Sequence, residues 1–228
     1  MRRCRPPPCA GGDETVALGT SWTLEWVRAT ADVIKEHRTE LVRLDREIGD
    51  GDHGENLDRG FSAVLAKLDG VEPDATPGAV LKLVATTLIS TVGGASGPLL
   101  GTAYLKGAAA AGSATELDGA ALVAVLTAAR DGVVLRGKAE SGDKTMVDAW
   151  TPAVDAATAA LADGASEPDI LEAAADAAEA GALATEPWVA RKGRASYLGE
   201  RAIGHRDPGA QSSALILRAA AVTAAAAG

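Results

Sequence analysis

Three carboxylates lie within eight residues of one another, at Asp45, Asp50 and Asp52. Gly51 separates the last two, and glycine lets the backbone fold so that neighbouring acids turn towards one point. Mg²⁺ and Ca²⁺ take oxygen ligands, and like charges this close are costly unless a cation or shared protons neutralise them. The stretch therefore predicts a metal site. A solvated acidic turn between two helices is the alternative.

A second stretch could bind an anion. Residues 93–97 read Gly-Gly-Ala-Ser-Gly and precede Pro98, which is typical of a loop that leads into the N-terminus of a helix. Glycines let bare backbone amides approach a phosphate at such a position. A tight turn between two helices would use the same residues.

Two further features could complete such a site. His53 directly follows the acids, where it could contact phosphate, cap the next helix or reach a metal-bound oxygen. The segment 186–207 reverses the local charge of a chain whose net charge is −9. Its cations are Arg191, Lys192, Arg194, Arg201 and Arg206. Arginine can hold phosphate oxygens in a fork, although several of these side chains are expected to be solvated.

Two familiar motifs are excluded. Residues 132–138 fit the G-x4-G-K part of a P-loop, but Ala139 stands where that motif needs Ser or Thr. An EF-hand loop that began at Asp50 would need a Glu where Phe61 stands.

Composition favours helices. The chain has 228 residues, of which 47% are hydrophobic but only 3% aromatic, and such an alanine-rich core suits closely packed helices. The acidic charge argues against nucleic-acid binding. No apolar run approaches the length of a membrane span, so we expect no membrane association and a cytoplasmic location.

Periodicity predicts eight helices in one domain, 21–228, after a disordered tail, 1–20. The helices are expected at about 21–43, 55–68, 77–92, 96–111, 117–135, 146–163, 168–185 and 208–227. Short connections make neighbouring helices antiparallel, so the predicted fold is an all-α, antiparallel, up-and-down bundle or barrel.

Alternation of the helices also sorts the connections. One end holds residues 45–54, 93–97, 136–145 and 186–207. Every stretch whose residues could bind a metal or a phosphate lies among them. The unpaired amides at the starts of four helices would meet there. The sequence thus predicts one composite site at a mouth of the bundle.

Several of these segments resemble the nucleotide-binding subunits of dihydroxyacetone kinases. The matching segments are 44–54, 92–98, 136–146, 190–200 and 203–209, and the resemblance covers the chain from about Ser21 onwards. It implies an eight-helix barrel that holds ADP or ATP at one end through two Mg²⁺ ions.

The resemblance also implies roles for individual residues. Asp45, Asp50 and Asp52 would be the metal ligands. The residues implied to lie along the nucleotide are His53, Gly54, Glu55, Asn56, Ala95, Ser96, Gly137, Met146, Arg194, Asp207, Pro208 and Gly209. Glu55 is placed there without a role for its side chain, and no catalytic residue is assigned beyond the support of the metal site and Arg194.

In the phosphoenolpyruvate-dependent members of this family, the nucleotide acts as a coenzyme. The resemblance therefore implies two partners: an M subunit whose phosphohistidine rephosphorylates ADP, and a K subunit that holds the dihydroxyacetone. One alternative is a kinase subunit that exchanges free ATP, with a sugar-binding subunit or another acceptor such as a fatty acid. Another is a non-catalytic, metal-stabilised bundle that regulates a partner by docking.

Overall fold

The computed structural model describes residues 18–72 and 74–227, and these residues are almost entirely helical. The α-helices are α1 (Thr20–Glu36), α2 (Arg38–Ile48), α3 (His53–Leu68), α4 (Pro77–Thr91), α5 (Ser96–Ala111), α6 (Gly119–Gly137), α7 (Val147–Ala162), α8 (Glu167–Ala184) and α9 (Pro208–Ala225). A 3₁₀ helix covers Arg194–Ala202. Two short strands, β1 (Leu18–Gly19) and β2 (Glu116–Leu117), pair antiparallel. The predicted all-α class is confirmed.

The single first helix predicted for residues 21–43 is wrong, because the chain bends at His37. That residue has φ −87° and ψ 6°, outside the helical well, and separates α1 from α2. Helical hydrogen bonding continues across the bend, since the His37 amide donates to the Val33 carbonyl and the Leu41 amide to the His37 carbonyl, both at 2.9 Å. The two helices thus form one bent arm, and the alternation of the later helices is unchanged.

The helices close into a barrel. The α1–α2 arm packs on α3, and each helix from α3 to α8 packs on the next one in the chain. The ring closes because α9 packs back on α1. The expected up-and-down arrangement is therefore present, and the part of the chain that the structure describes contains nine α-helices in place of the eight expected.

Aromatic side chains fill part of the barrel interior. The rings of Trp22 and Trp26 stack with their centroids 5.4 Å apart, and Tyr104 lies 6.0 Å from Trp26. Alanine lies at several helix interfaces, as its abundance predicts. Completely buried alanines line the contacts of α7, α8 and α9, at Ala149, Ala157, Ala174, Ala178, Ala220 and Ala224.

The ordered structure includes part of the segment expected to be a tail. Leu18 is completely buried and pairs with Leu117, and Thr20 begins α1. Residues 1–17, where the rest of that expectation falls, lie outside the described part of the chain. Among the helices that the structure describes, none combines the length and apolar character needed to cross a bilayer.

Candidate functional site

A cavity of about 170 Å³ opens at one end of the barrel, where the four predicted connections meet. Asp45 at the end of α2, Asp50 and Asp52 in the α2–α3 connection and His53 at the start of α3 line it, together with residues 93–96 between α4 and the start of α5. Residues 144–146 come from the α6–α7 connection, and residues 192–195 and 207–209 from the α8–α9 connection. The expectation of one composite site agrees with this geometry.

Asp45, Asp50 and Asp52 converge on one wall of this cavity. Each can offer a carboxylate oxygen, and the three oxygens lie within 4.8 Å of one another. Asp45 is buried in the last turn of α2, where its Oδ2 accepts hydrogen bonds from the amides of Asp52 at 2.9 Å and His53 at 3.1 Å. It thereby fixes the start of α3 beside the other two acids.

Glycine is needed at position 49 for this arrangement. A Cβ there would lie 2.0 Å from Oδ1 of Asp45, so any larger residue would displace that carboxylate. Gly51 has φ +76°, a left-handed conformation that favours glycine, and it turns the chain between Asp50 and Asp52.

The donor set suits a hard divalent cation. Three carboxylates in one place favour Mg²⁺ or Ca²⁺ over softer metals, which prefer thiolate and imidazole. The cluster meets a counter-charge within the protein, since Nη1 of Arg194 lies 2.5 Å from Oδ2 of Asp50. These residues fit the Mg²⁺ that the resemblance implies.

Another part of the cavity lining is the start of α5, which presents backbone amides. At the far end of the barrel, Thr76, Asp118 and Ser166 cap α4, α6 and α8 with their own side chains. The cap position of α5 is Ala95, where no side chain in the described chain accepts from the first turn. The free N–H groups and the positive end of the helix dipole therefore border the same cavity as the acids, and such a helix start can bind phosphate.

His53 connects three helices behind this wall. Its Nδ1 lies 2.9 Å from Oγ of Ser96 on α5, and its Nε2 lies 2.9 Å from Oγ of Ser212 on α9. Burial lowers the pKa of His53 to about 4, against the opposing effect of the Asp52 charge, so the ring is neutral at pH 7.

The hydrogen bonds also determine the tautomer of His53. Because the Ser212 hydroxyl donates to the Gly209 carbonyl at 3.0 Å, it accepts from Nε2–H of the ring. The neutral ring then accepts at Nδ1, so the Ser96 hydroxyl donates to it. His53 thus orients Ser96 at the start of α5.

An apolar cavity of about 380 Å³ adjoins the first one. Leu99, Val133 and Met146 form its walls, and Gly137 and Arg136 lie at its edge. Met146, Ala95 and Gly94 belong to both cavities, so the two spaces are continuous. A ligand with a charged end and a flat apolar end, such as a nucleotide, fits this combination.

Asp207, Pro208 and Gly209 form the part of the lining that begins α9. Oδ2 of Asp207 accepts from the amide of Ala210 at 2.7 Å and caps the helix. Burial raises the pKa of Asp207 to about 7, and the charge of Asp148 adds to the effect. The carboxyl group therefore titrates near neutral pH.

Two of the expected nucleotide contacts point elsewhere. The Glu55 carboxylate binds Nη1 of Arg38 at 3.0 Å on the outer surface. Gly54 packs against α2, where a Cβ would lie 2.3 Å from the Arg38 carbonyl oxygen. The other ten expected nucleotide residues line one or both cavities, namely His53, Asn56, Ala95, Ser96, Gly137, Met146, Arg194, Asp207, Pro208 and Gly209.

The cations of segment 186–207 occupy different surroundings, although several were expected to be solvated. Lys192 and Arg194 line the cavity. Arg206 is instead held by Oε1 of Glu186, at 3.1 Å from Nε and 2.9 Å from Nη2. The lining also includes Lys144 and Thr145, which the sequence analysis missed because an isolated Asp-Lys-Thr triplet has no distinctive pattern.

Comparison with known proteins assigns the chain to a family. The model of the DAK2 domain family matches residues 47–222. The chain belongs to the DAK2 domain family. This assignment confirms the resemblance to dihydroxyacetone kinases that the motifs indicated.

Members of the DAK2 domain family match over nearly the whole chain. The Escherichia coli K12 "PEP-dependent dihydroxyacetone kinase, ADP-binding subunit DhaL" is 44% identical over 92% of this chain and 99% of its own length. The corresponding PTS-dependent subunit of Lactococcus lactis is 44% identical over 85% of this chain and 92% of its own length. These relatives are kinase subunits, and kinases are phosphotransferases.

The DAK2 fold is also present in solved structures. The dihydroxyacetone kinase of C. freundii in complex with AMP-PNP and Mg²⁺ superposes with a TM-score of 0.67 at 24% identity. The match covers 97% of this chain and 37% of the longer C. freundii chain. The barrel described above is therefore the fold of one part of that kinase.

Proposed function

We propose that this protein is the ADP- or ATP-binding subunit of a phosphoenolpyruvate-dependent dihydroxyacetone kinase. Its nucleotide is a coenzyme: ADP receives a phosphoryl group from the phosphohistidine of an M subunit. The γ-phosphoryl group then passes to dihydroxyacetone on a K subunit, giving dihydroxyacetone phosphate. The names of the relatives that match almost end to end support this reaction.

One observation carries the proposal: the three aspartates and the uncapped start of α5 face the same cavity. A cavity lined by both an acidic cluster and an anion-binding helix start is suited to a phosphate chain together with divalent cations, because this ligand uses both groups. A structural metal site would not need the amides, and a simple phosphate site would not need the acids.

Each wall has a defined task in this function. Asp45, Asp50 and Asp52 would hold two Mg²⁺ ions, which when bound neutralise phosphate charge. The amides of Ala95 and Ser96 bind phosphate oxygens, and neutral His53 keeps Ser96 oriented. Phosphoryl transfer has a loose transition state, so positioning and charge compensation supply most of the catalysis.

The second cavity would hold the base. Leu99, Val133 and Met146 offer apolar surface to a planar ring, while Gly137 leaves room at the edge. The phosphate end stays accessible, because the Arg194 side chain is 63% exposed at the mouth. A partner subunit can therefore bring the phosphoryl donor or acceptor to the nucleotide.

The deciding experiment is a reconstitution. Purified protein is assayed for bound ADP, mixed with phosphorylated M subunit, K subunit and dihydroxyacetone, and followed for dihydroxyacetone phosphate. We expect turnover without added ATP. Turnover that needs free ATP would favour the exchanging kinase subunit, and transfer to a fatty acid would change the acceptor. Mg-ADP binding without turnover in any mixture would favour the docking bundle.

A further inference from the structure

Lys144 is a charged side chain to which the proposed reaction gives no task. It lies in the α6–α7 connection and is only 1% exposed, although lysine is among the residues least often buried. Its backbone has φ +64°, a left-handed conformation that is uncommon for residues other than glycine. Such a conformation persists only where the surroundings enforce it.

The surroundings of Lys144 are backbone carbonyl groups of the α8–α9 connection. Its Nζ donates to the carbonyl oxygens of Ala202 at 2.6 Å, Trp188 at 3.0 Å and Glu186 at 3.4 Å. An ammonium group has three N–H donors, so all three are used. The group therefore has no donor left for a phosphate, even though the residue borders the cavity.

These carbonyls belong to residues 186–204, which we call the 186–204 loop. The ends of the loop meet, because the Gly204 amide donates to the Glu186 carbonyl at 2.8 Å. The loop also touches the α6–α7 connection directly, since the Arg191 amide donates to the Asp143 carbonyl at 3.0 Å. The ammonium group of Lys144 thus sits inside a closed loop and bonds to both of its ends.

The segment that carries Lys144 is itself held firmly. Oδ1 of Asp148 accepts from the Gly142 amide at 2.6 Å, and its Oδ2 accepts from the Thr145 amide at 2.7 Å. Both bonds fix the backbone on either side of Lys144. Burial lowers the pKa of the Lys144 ammonium, while the charges of Asp207 and Glu186 oppose that shift.

The 186–204 loop carries Arg194, whose guanidinium reaches Asp50 on the far side of the cavity. We propose that Lys144 is a positioning residue for nucleotide binding, which holds the 186–204 loop and thereby keeps Arg194 over the metal-binding carboxylates. This inference rests on the proposed nucleotide site. It adds that the α6–α7 connection controls the geometry of the α8–α9 connection through one side chain.

The test compares Lys144→Met with Lys138→Met. Methionine keeps the length of the side chain and removes the donors. Lys138 is a matched control because it lies on the same connection, also has positive φ at 49°, and is exposed. Hydrogen exchange of the nucleotide-free proteins is read by mass spectrometry. We expect K144M to lose protection in residues 186–204 and to keep it in α3–α7, and K138M to match the wild type.

Affinity for Mg-ADP provides the functional readout. We expect K144M to bind Mg-ADP more weakly by up to about tenfold, and by no more than R194M, because the loss is that of the charged hydrogen bond from a displaced Arg194. The double variant K144M/R194M should bind no more weakly than R194M alone, because Lys144 acts through Arg194. Additive losses, or unchanged affinity in K144M, would overturn the inference. Failure of the wild type and K138M to bind Mg-ADP would instead contradict the proposed function.

A measurement on the wild type decides the matter if K144M does not fold. A small acylating reagent is added to native protein, and the modified lysines are identified by mass spectrometry. Lys144 should react far more slowly than Lys138, and should gain reactivity only on unfolding. Equal reactivity of the two lysines in the native protein would refute the buried clamp, whatever the protein binds.

Discussion

The guanidinium of Arg194 lies 2.5 Å from the carboxylate of Asp50, and so joins the α8–α9 connection to the acidic stretch that follows α2. The same Asp50 oxygens are proposed ligands of a divalent cation, so arginine and metal would compete for them. Arg194 would also contact the phosphates once a nucleotide is present. Loss of this side chain should therefore affect binding of the metal and of the nucleotide in opposite directions.

Arg194→Met tests that competition. We expect Mg²⁺ alone to bind at least as tightly as in the wild type, because the carboxylates lose their internal counter-charge. Mg-ADP should bind about tenfold more weakly, because a charged hydrogen bond to phosphate is lost. Calorimetric titrations with each ligand check both signs. Arg201→Met removes an exposed cation of the same connection and should change neither. Weaker binding of Mg²⁺ alone in R194M would contradict the competition.

Asp50→Asn removes a proposed metal ligand without touching the core. Asp50 is exposed, so we expect the helical circular dichroism spectrum and the unfolding midpoint to stay close to those of the wild type. Mg²⁺-dependent ADP affinity should fall more than about 100-fold, since even outer-shell changes cost 10- to 100-fold. Calorimetry measures the affinity. The control is Asp163→Asn, an equal change of charge at the C-cap of α7, which is the end of that helix away from the cavity. Unchanged Mg-ADP affinity in D50N would refute the metal assignment.

Ser212→Ala tests the hydrogen bond behind the phosphate wall. Ser212 and Ser213 are both completely buried, and both donate to the Gly209 carbonyl. Ser212 also accepts from His53, so its removal takes away the side-chain acceptor of a buried ring N–H. We expect Ser212→Ala to lower the free energy of unfolding by about 1–3 kcal/mol more than Ser213→Ala does. Urea unfolding of the two variants gives the difference. Equal losses would show that the bond to His53 contributes nothing.

Asp207→Asn should make stability less dependent on pH. The folded protein holds the Asp207 proton up to about pH 7, whereas the unfolded chain releases it near pH 4. The contribution of Asp207 to the free energy of unfolding is therefore largest below pH 4, and it is lost as the pH rises to 7. Asparagine keeps the cap of α9 and cannot ionise. The difference in free energy of unfolding between the variant and the wild type should grow in favour of the variant from pH 5 to pH 8. The growth should be on the order of 1 kcal/mol for each pH unit below the folded-state pKa of Asp207. Urea unfolding at the two pH values measures it, and a gain that does not change with pH would contradict the buried-carboxyl explanation.

Much of the site could be predicted because the helices alternate in direction. The acidic stretch, the glycine-rich loop and the start of α9 are separated widely in sequence, yet short connections between antiparallel helices return each of them to the same end. The acids converge for a local reason as well, since residues 45 to 52 span only one turn and the end of one helix. Such features depend on neighbours along the chain, which the sequence displays directly.

Other features escaped because they depend on contacts between distant segments. The bend at His37 keeps its helical hydrogen bonds, so the apolar periodicity runs through it without interruption. Glu55 follows two site residues in sequence but faces Arg38, because helical rotation carries its side chain to the outer surface. Arg206 and Arg194 are equivalent candidates for a phosphate ligand in the sequence, but in the structure Arg206 binds Glu186.

The acidic stretch, the helical periodicity and the positions of the loops determined, from sequence alone, an all-α barrel with a charged site at one mouth. Only the tertiary structure decided which of the charged residues face that site and which hold it in shape. Lys144 is the clearest case. Its three partners lie more than forty residues away along the chain. They are backbone carbonyl groups, which every residue type has, so no pattern of residue types could have predicted them.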